Sequence, residues 1–138
     1  MVKKSVLTFA NHYNSTSMHD QVHLVLIDDD PGVLRALGLV LKAMKFGVTP
    51  FTNPLEALAF LRSASDVDLV ITDLRMPEVS GTAVAQSIRD EGLDVPVVVM
   101  SGHATQSDIQ ELKRHGAAGF IPKPFTPDKL IQLVNSLV

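Results

Sequence analysis

Apolar and polar positions along the chain switch repeatedly between two periods. An apolar run at residues 22–27, broken only by His23, stops at Asp28-Asp29-Asp30, and Pro31 follows. Leu34, Leu37, Leu41 and Met44 then recur at helical spacing, and Gly38 interrupts that helix without ending it. The same change from short run to helical period happens again at 48–51 with Ala57, Leu58 and Leu61, and at 69–72 with Val84, Ala85 and Ile88. It happens once more at 95–100 with Ile109 and Leu112, and finally at 119–121 with Leu130, Ile131, Val134 and Leu137. Runs of this length bounded by turn residues predict strands, and the consecutive large apolar residues at 97–100 predict one covered on both faces. Helix starts are written between them. Asp30 before Pro31 and Asn53 before Pro54 combine a cap with a first-turn proline, Thr105-x-x-Asp108 has the form of a capping box, and Thr126-Pro127 starts the last helix. The fourth helix has few large apolar residues and should be weakly anchored.

Strand followed by helix, five times with short connections, implies a parallel sheet with right-handed crossovers and helices on both faces. No Gly-x-Gly-x-x-Gly follows the first strand, which favours a flavodoxin-like doubly wound α/β fold. Its five-stranded parallel sheet would have the order 2-1-3-4-5, with strands 1 and 3 adjacent at the switch point. Residues 22–138 read as one domain. Residues 1–21, rich in Asn, Ser, Thr and His without a sustained period, read as a flexible N-terminal tail.

Composition narrows the function. With 138 residues, 46% of them apolar and 20% charged, the chain can bury a real core. A net charge of −3 and the lack of a Lys/Arg cluster argue against direct binding to nucleic acid. There is no cysteine, so disulfides, thiolate metal sites and cysteine nucleophiles are excluded, in keeping with a cytoplasmic protein. No apolar run is long enough to span a membrane. Lys3-Lys4 before Val6 to Ala10 has the outline of an export signal, but its apolar part is too short and Asn11-His12 interrupts it. His12, His19, His23 and His115 share no metal-ligand spacing and read as surface or tail residues.

The strand ends carry the chemistry. Strand 1 ends in Asp28 and Asp29, strand 3 in Asp73, strand 4 in Ser101 and strand 5 in Lys123, all on the C-terminal edge of the sheet, where such folds bind ligands. Grouped carboxylates repel and resist ionisation unless a cation sits among them. A hard divalent ion such as Mg²⁺, bound through one or two carboxylates, answers that need. Carboxylate, Mg²⁺, ammonium and hydroxyl together suit phosphoryl transfer to a carboxylate nucleophile. Asp30, the third acid, reads as the helix cap.

Val25-Leu26-Ile27-Asp28-Asp29-Asp30-Pro31, Thr72-Asp73-Leu74-Arg75-Met76-Pro77 with Gly81, Val98-Val99-Met100-Ser101-Gly102 and Lys123-Pro124-Phe125 resemble, in order and spacing, the receiver domain of two-component response regulators. The resemblance implies that Asp73 accepts a phosphoryl group from the phosphohistidine of a sensor histidine kinase or a phosphotransfer protein. Asp29 would bind Mg²⁺ directly and Asp28 largely through water, with the Arg75 backbone carbonyl completing the metal site. Lys123, before a peptide bond to Pro124 that is usually cis in receivers, would pair with the phosphoryl oxygens. Ser101 would swing toward them, and Phe120, at the family's aromatic switch position, would turn inward as Ser101 moves. Arg75 and His103 flank the route of the hydrolytic water and are candidates for setting the lifetime of the acyl phosphate. The face around the fourth helix and fifth strand would then bind an output partner or a second copy of the chain.

Three other readings compete. A haloacid-dehalogenase-type phosphatase also uses a strand-1 aspartate and Mg²⁺, but Gly32 stands where such enzymes have Thr or Val, and the chain is short for one with a cap domain. FMN binding would need a Ser/Thr/Gly cradle after strand 1, where this chain has acids. A receiver that only scaffolds would lack some of the site residues, and all are present. The chain reads either as a stand-alone receiver or as one cut from a longer protein; its kinase, signal and output are not legible.

Overall fold

A computed structural model of the chain describes residues 6–9, 21–64 and 66–138. In chain order the elements are β1 (Leu7–Thr8), β2 (His23–Ile27), α1 (Pro31–Ala43), β3 (Gly47–Phe51), α2 (Pro54–Ser63) and β4 (Leu69–Asp73). They continue with α3 (Gly81–Asp90), β5 (Val97–Ser101), α4 (Gln106–Arg114), β6 (Gly119–Pro122) and α5 (Pro127–Leu137). The helix starts form where the capping residues stand. Asp30 accepts from the Gly32 and Val33 N–H groups, Asn53 from Leu55, Ser80 from Ala83 and Thr126 from Lys129, while Thr105 and Asp108 make a reciprocal capping box.

The parallel strands lie in the order β3-β2-β4-β5-β6, the expected 2-1-3-4-5 arrangement. Successive side chains of each strand go to opposite faces. Leu24, Leu26, Leu69, Ile71, Val98, Met100 and Ile121 join a core layer with Leu34 and Leu41 of α1 and Leu130, Val134 and Leu137 of α5. Val25, Ile27, Val70, Val97, Val99 and Phe120 join the opposite layer with residues of α2, α3 and α4. Each fully buried Leu, Ile, Val or Phe side chain contributes roughly 1.5–3 kcal/mol over an exposed one, and this two-sided burial holds the strand ends in place. α4 contributes only Ile109 and Leu112 as buried residues, so it is the lightly anchored helix that its sequence predicts.

The structure corrects the sequence reading in several places. Within the segment expected to be a tail, β1 pairs antiparallel with β6 and adds a sixth strand to the sheet, Leu7 opposite Phe120 and Thr8 opposite Gly119. The remainder of that expectation, residues 1–5 and 10–20, lies outside the described residues. Met44 is not a buried helix position; it caps α1 and is 49% exposed. On α5, Ile131 is only half-buried and Leu133 takes its place in the core. His23 is half-buried rather than on the surface, with its Nε2 2.7 Å from the Thr49 hydroxyl.

Candidate functional site

The site forms because four parallel strands stop at one level and each deposits a polar residue there. Asp28 follows β2 directly, and its own N–H donates to the Phe51 carbonyl at the end of β3. The residue is 1% exposed, so its side-chain oxygens need partners. Oδ1 accepts from the Asp30 N–H at 2.9 Å and Oδ2 from Lys123 Nζ at 3.1 Å. Asp29 is exposed, and Asp30 serves as the cap of α1. Asp73 closes β4 opposite Met100 of β5 and is partly buried. Lys123 Nζ donates to Asp73 Oδ1 at 3.2 Å, so one ammonium bridges two carboxylates that come from different strands. Ser101 ends β5, is 4% exposed, and accepts from the His103 N–H at 3.2 Å. The Lys123 N–H donates to the Ser101 carbonyl at 2.9 Å, which ties the last two residues of the constellation together. The Lys123–Pro124 peptide is cis.

Carboxylate oxygens of Asp28, Asp29 and Asp73 all lie within 4.8 Å of one another. Three hard oxygen donors, one of them buried and one open to solvent, make a donor set of the type that binds hard divalent cations. The electrostatics agree. Burial pushes the Asp73 carboxyl up, the Lys123 charge pulls it back, Asp28 pushes it up again, and the net direction is upward. Burial works against the charge of Lys123, but the hydrogen bond and charge of Asp28, and then those of Asp73, outweigh it and hold the ammonium above its ordinary value. The net effect makes ionisation of Asp73 costlier than that of a free aspartate.

A carboxyl whose folded pKa is raised favours folding below its unfolded pKa and loses that advantage as pH rises through the folded value. Without metal at neutral pH, Asp73→Asn is therefore expected to raise the melting temperature by roughly 3 °C. The gain should shrink in melts at pH values where wild-type Asp73 is protonated. Added Mg²⁺ should stabilise the wild type more than the variant.

The loop after Asp73 is fixed by main-chain bonds. Leu74 N–H donates to Met100 O at 2.9 Å, Gly81 N–H to Leu74 O at 2.8 Å, and the Thr72 hydroxyl to the Asp73 carbonyl at 3.0 Å. Gly81 sits so close beneath Asp73 that a Cβ there would collide with the Asp73 carbonyl oxygen. Arg75 reaches across to the start of α4, where its Nη2 lies 2.8 Å from Asp108 Oδ2 and 3.4 Å from the His103 carbonyl. The Asp108 carboxyl is held below its usual range by the Thr105 N–H, with Arg75 adding to the effect.

Asp28, Asp29, Asp73, Ser101 and Lys123 are thus brought to one edge, with Arg75 and His103 beside them. Phe120 is not at that edge; it is fully buried, three residues back along β6, in the layer against which Leu7 and Phe9 pack. Asp108, legible in the sequence as half of the capping box, is also the partner of Arg75, a role the sequence did not show.

The family profile described as the response regulator receiver domain matches residues 24–135. The chain belongs to the response regulator receiver family. Among the relatives, the transcriptional regulatory protein GlrR of Escherichia coli is 35% identical over 85% of this chain and 26% of its own length. The response regulator SaeR of Staphylococcus epidermidis is 32% identical over 84% of this chain and 50% of its own. The receiver thus spans about a quarter to a half of these relatives. Full-length FixJ from B. japonicum superposes with a TM-score of 0.78 at 30% identity, over 84% of this chain and 57% of that one. The chemotaxis protein CheY4 of Vibrio cholerae shares the fold, with a TM-score of 0.79 at 23% identity over 86% and 99% of the two chains. Membership excludes the competing assignments: the domain is a response regulator receiver of two-component systems, and neither the phosphatase nor the FMN-binding reading stands. Among the described residues no helix is long and apolar enough to cross a membrane.

Proposed function

We propose that this receiver accepts a phosphoryl group on Asp73 from the phosphohistidine of a sensor histidine kinase or phosphotransfer protein in the cytoplasm, and later hydrolyses it. The observation that carries this reading is the single ammonium of Lys123 shared between Asp28 and Asp73, beside a third carboxylate. Asp73 Oδ attacks phosphorus, the phosphorus–nitrogen bond breaks, and the imidazole leaves neutral after taking a proton. Lys123 receives negative charge on the transferred oxygens, and the Ser101 hydroxyl supplies a second donor once it turns from the His103 N–H. Asp28, Asp29, Asp73 and the Arg75 carbonyl would hold Mg²⁺. The ion, when bound, lowers the repulsion among the carboxylates and neutralises charge on the phosphoryl group. Val33, Ala36, Leu37, Pro124 and Phe125 line an apolar groove that opens beside Lys123, where the helix of the donor protein can lie. The signal leaves through Phe120, α4 and β6, to an output partner or to a second copy of the chain, by a shift of population between two arrangements.

The test is adduct formation. Acetyl phosphate with Mg²⁺ should add one phosphoryl group to the intact chain, labile to base and hydroxylamine, and Asp73→Asn should add none. An unmodified wild type, or equal labelling of the variant, would sink the reading.

Arg75 governs lifetime through its tie to α4. Its guanidinium is held on Asp108 and the His103 carbonyl, between the loops that follow β4 and β5. Arg75→Ala together with His103→Ala is expected to change the first-order loss of the acyl phosphate by about tenfold. Asp108→Asn should move it in the same direction by less. A rate unchanged in the double variant removes both residues from this role.

A further inference from the structure

β6 links two features that the phosphoacceptor reading leaves unconnected. Its C-terminal end runs into Lys123, whose ammonium lies between Asp28 and Asp73 and whose N–H is bonded to Ser101. Its outer edge carries β1, a strand of two residues. Only a glycine fits at the crossing: a Cβ on Gly119 would lie 2.9 Å from the Leu7 carbonyl oxygen. The Phe9 N–H donates to the Ala118 carbonyl at 2.9 Å. Leu7 and Phe9 pack on the layer that holds Phe120 with Ile109 and Leu112 of α4, and Val6 packs on the layer that holds Leu133 and Leu137 of α5. β1 therefore stoppers the sheet edge between α4 and α5.

Without β1, the outer edge of β6 would offer unpaired N–H and C=O groups to another chain, the surface that strand addition uses. We propose that β1 is an autoinhibitory strap: it fills in cis the β6 edge where a partner's strand would add, favours the unphosphorylated form of Asp73, and leaves the edge when Asp73 is loaded. This rests on the reading of Asp73 as phosphoacceptor. New anionic oxygens on Asp73 draw Lys123 away from its shared position, and the pull acts on a strand only four residues long. The Gly119 and Leu7 backbones lie too near each other to admit a side chain between them, so a shift of β6 is felt directly by β1. β1 has few bonds to lose, which places it among the elements that open most readily.

Coupling between two sites is reciprocal. If loading Asp73 expels β1, removing β1 must tighten loading by the same factor. Beryllofluoride with Mg²⁺, titrated onto the full chain and followed by fluorine NMR, measures that factor. Phe9→Pro deletes the N–H that bonds Ala118, and Gly119→Ala drives a methyl group toward Leu7 from the other side. Both are expected to bind beryllofluoride about fivefold more tightly or better. Hydrogen exchange on the unaltered chain provides a readout without mutation. The amides of residues 7–9 should exchange about tenfold faster in the adduct, and those of β4 and β5 should not. Unchanged or weaker binding in Phe9→Pro while wild type binds normally, or exchange at 7–9 that is unchanged or slower, overturns the strap and leaves the receiver reading intact. A wild type that binds no beryllofluoride overturns both.

Discussion

Replacing Lys123 with alanine is expected to slow phosphoryl uptake from acetyl phosphate by about 10²-fold, the usual cost of removing one preorganised charge donor from a site where charge develops. Two independent losses add up here. Lys123 Nζ stands 3.2 Å from Asp73 Oδ1, so it is placed to meet the oxygens of a phosphoryl group arriving on that carboxylate. It is also the chief influence pulling the Asp73 carboxyl down against burial and Asp28. Without it, ionised Asp73 becomes scarcer at a given pH, and the rise of uptake with pH should move to higher pH. Lys123→Arg separates the two effects. It keeps the positive charge, and so most of the pH profile, but a planar fork does not replace a compact ammonium shared by two carboxylates. Its uptake should therefore stay well below wild type. Among the described residues, the buried Asp28 side chain would keep only the Asp30 N–H as a partner in Lys123→Ala. In EDTA that variant should lose about 1–3 kcal/mol in a denaturant melt, with part of the loss recovered in Mg²⁺. A variant that takes up phosphate at the wild-type rate would remove Lys123 from the chemistry.

The residues legible in the sequence are those whose position follows from local rules. A run that stops at an acid places that acid at a strand end, and the parallel order then brings Asp28, Asp29, Asp73, Ser101 and Lys123 to one edge. The 2-1-3-4-5 order followed from alternation and from the absence of a dinucleotide fingerprint. β1 was hidden for a physical reason. Leu7 and Thr8 sit in an apolar run too short to show a period, inside an otherwise polar segment, and their partner on β6 lies almost the whole chain away. The available signal was on the other strand: Gly119, between Ala118 and Phe120 in a strand, marks a place where another backbone approaches closely. Phe120 shows the same limit. Its position in the motif was readable, but its complete burial depends on what covers the β6 edge. Asp108 was readable as half of a capping box, because that is local, and unreadable as the anchor of Arg75, because that bond spans the loops after β4 and β5.

Gly81→Ala is expected to damage both stability and acceptance, which separates the frame of the site from its chemistry. Gly81 opens α3, and its N–H closes the acceptor loop onto the Leu74 carbonyl at 2.8 Å. A Cβ there meets the Asp73 carbonyl oxygen within contact distance and lies 3.1 Å from Leu74 Cα. Both obstacles are backbone, so no rotamer change relieves them. Either α3 is pushed outward or the end of β4 moves. The first costs packing of Val84, Ala85 and Ile88, and the second displaces the acceptor itself. The expected loss is about 1–3 kcal/mol in a urea melt, the range for an extra group forced into a packed site. A displacement of about 1 Å at the reacting atom lowers uptake by about 10²-fold even in the fraction that remains folded. Gly92→Ala is the control at the other end of the same helix. That position has φ +71°, and a Cβ there meets nothing within 4 Å. It should lose about 1–2 kcal/mol to backbone strain alone and still accept phosphate at the wild-type rate. If the two variants lose stability alike and neither loses uptake, the close approach of α3 to Asp73 does not aim the acceptor.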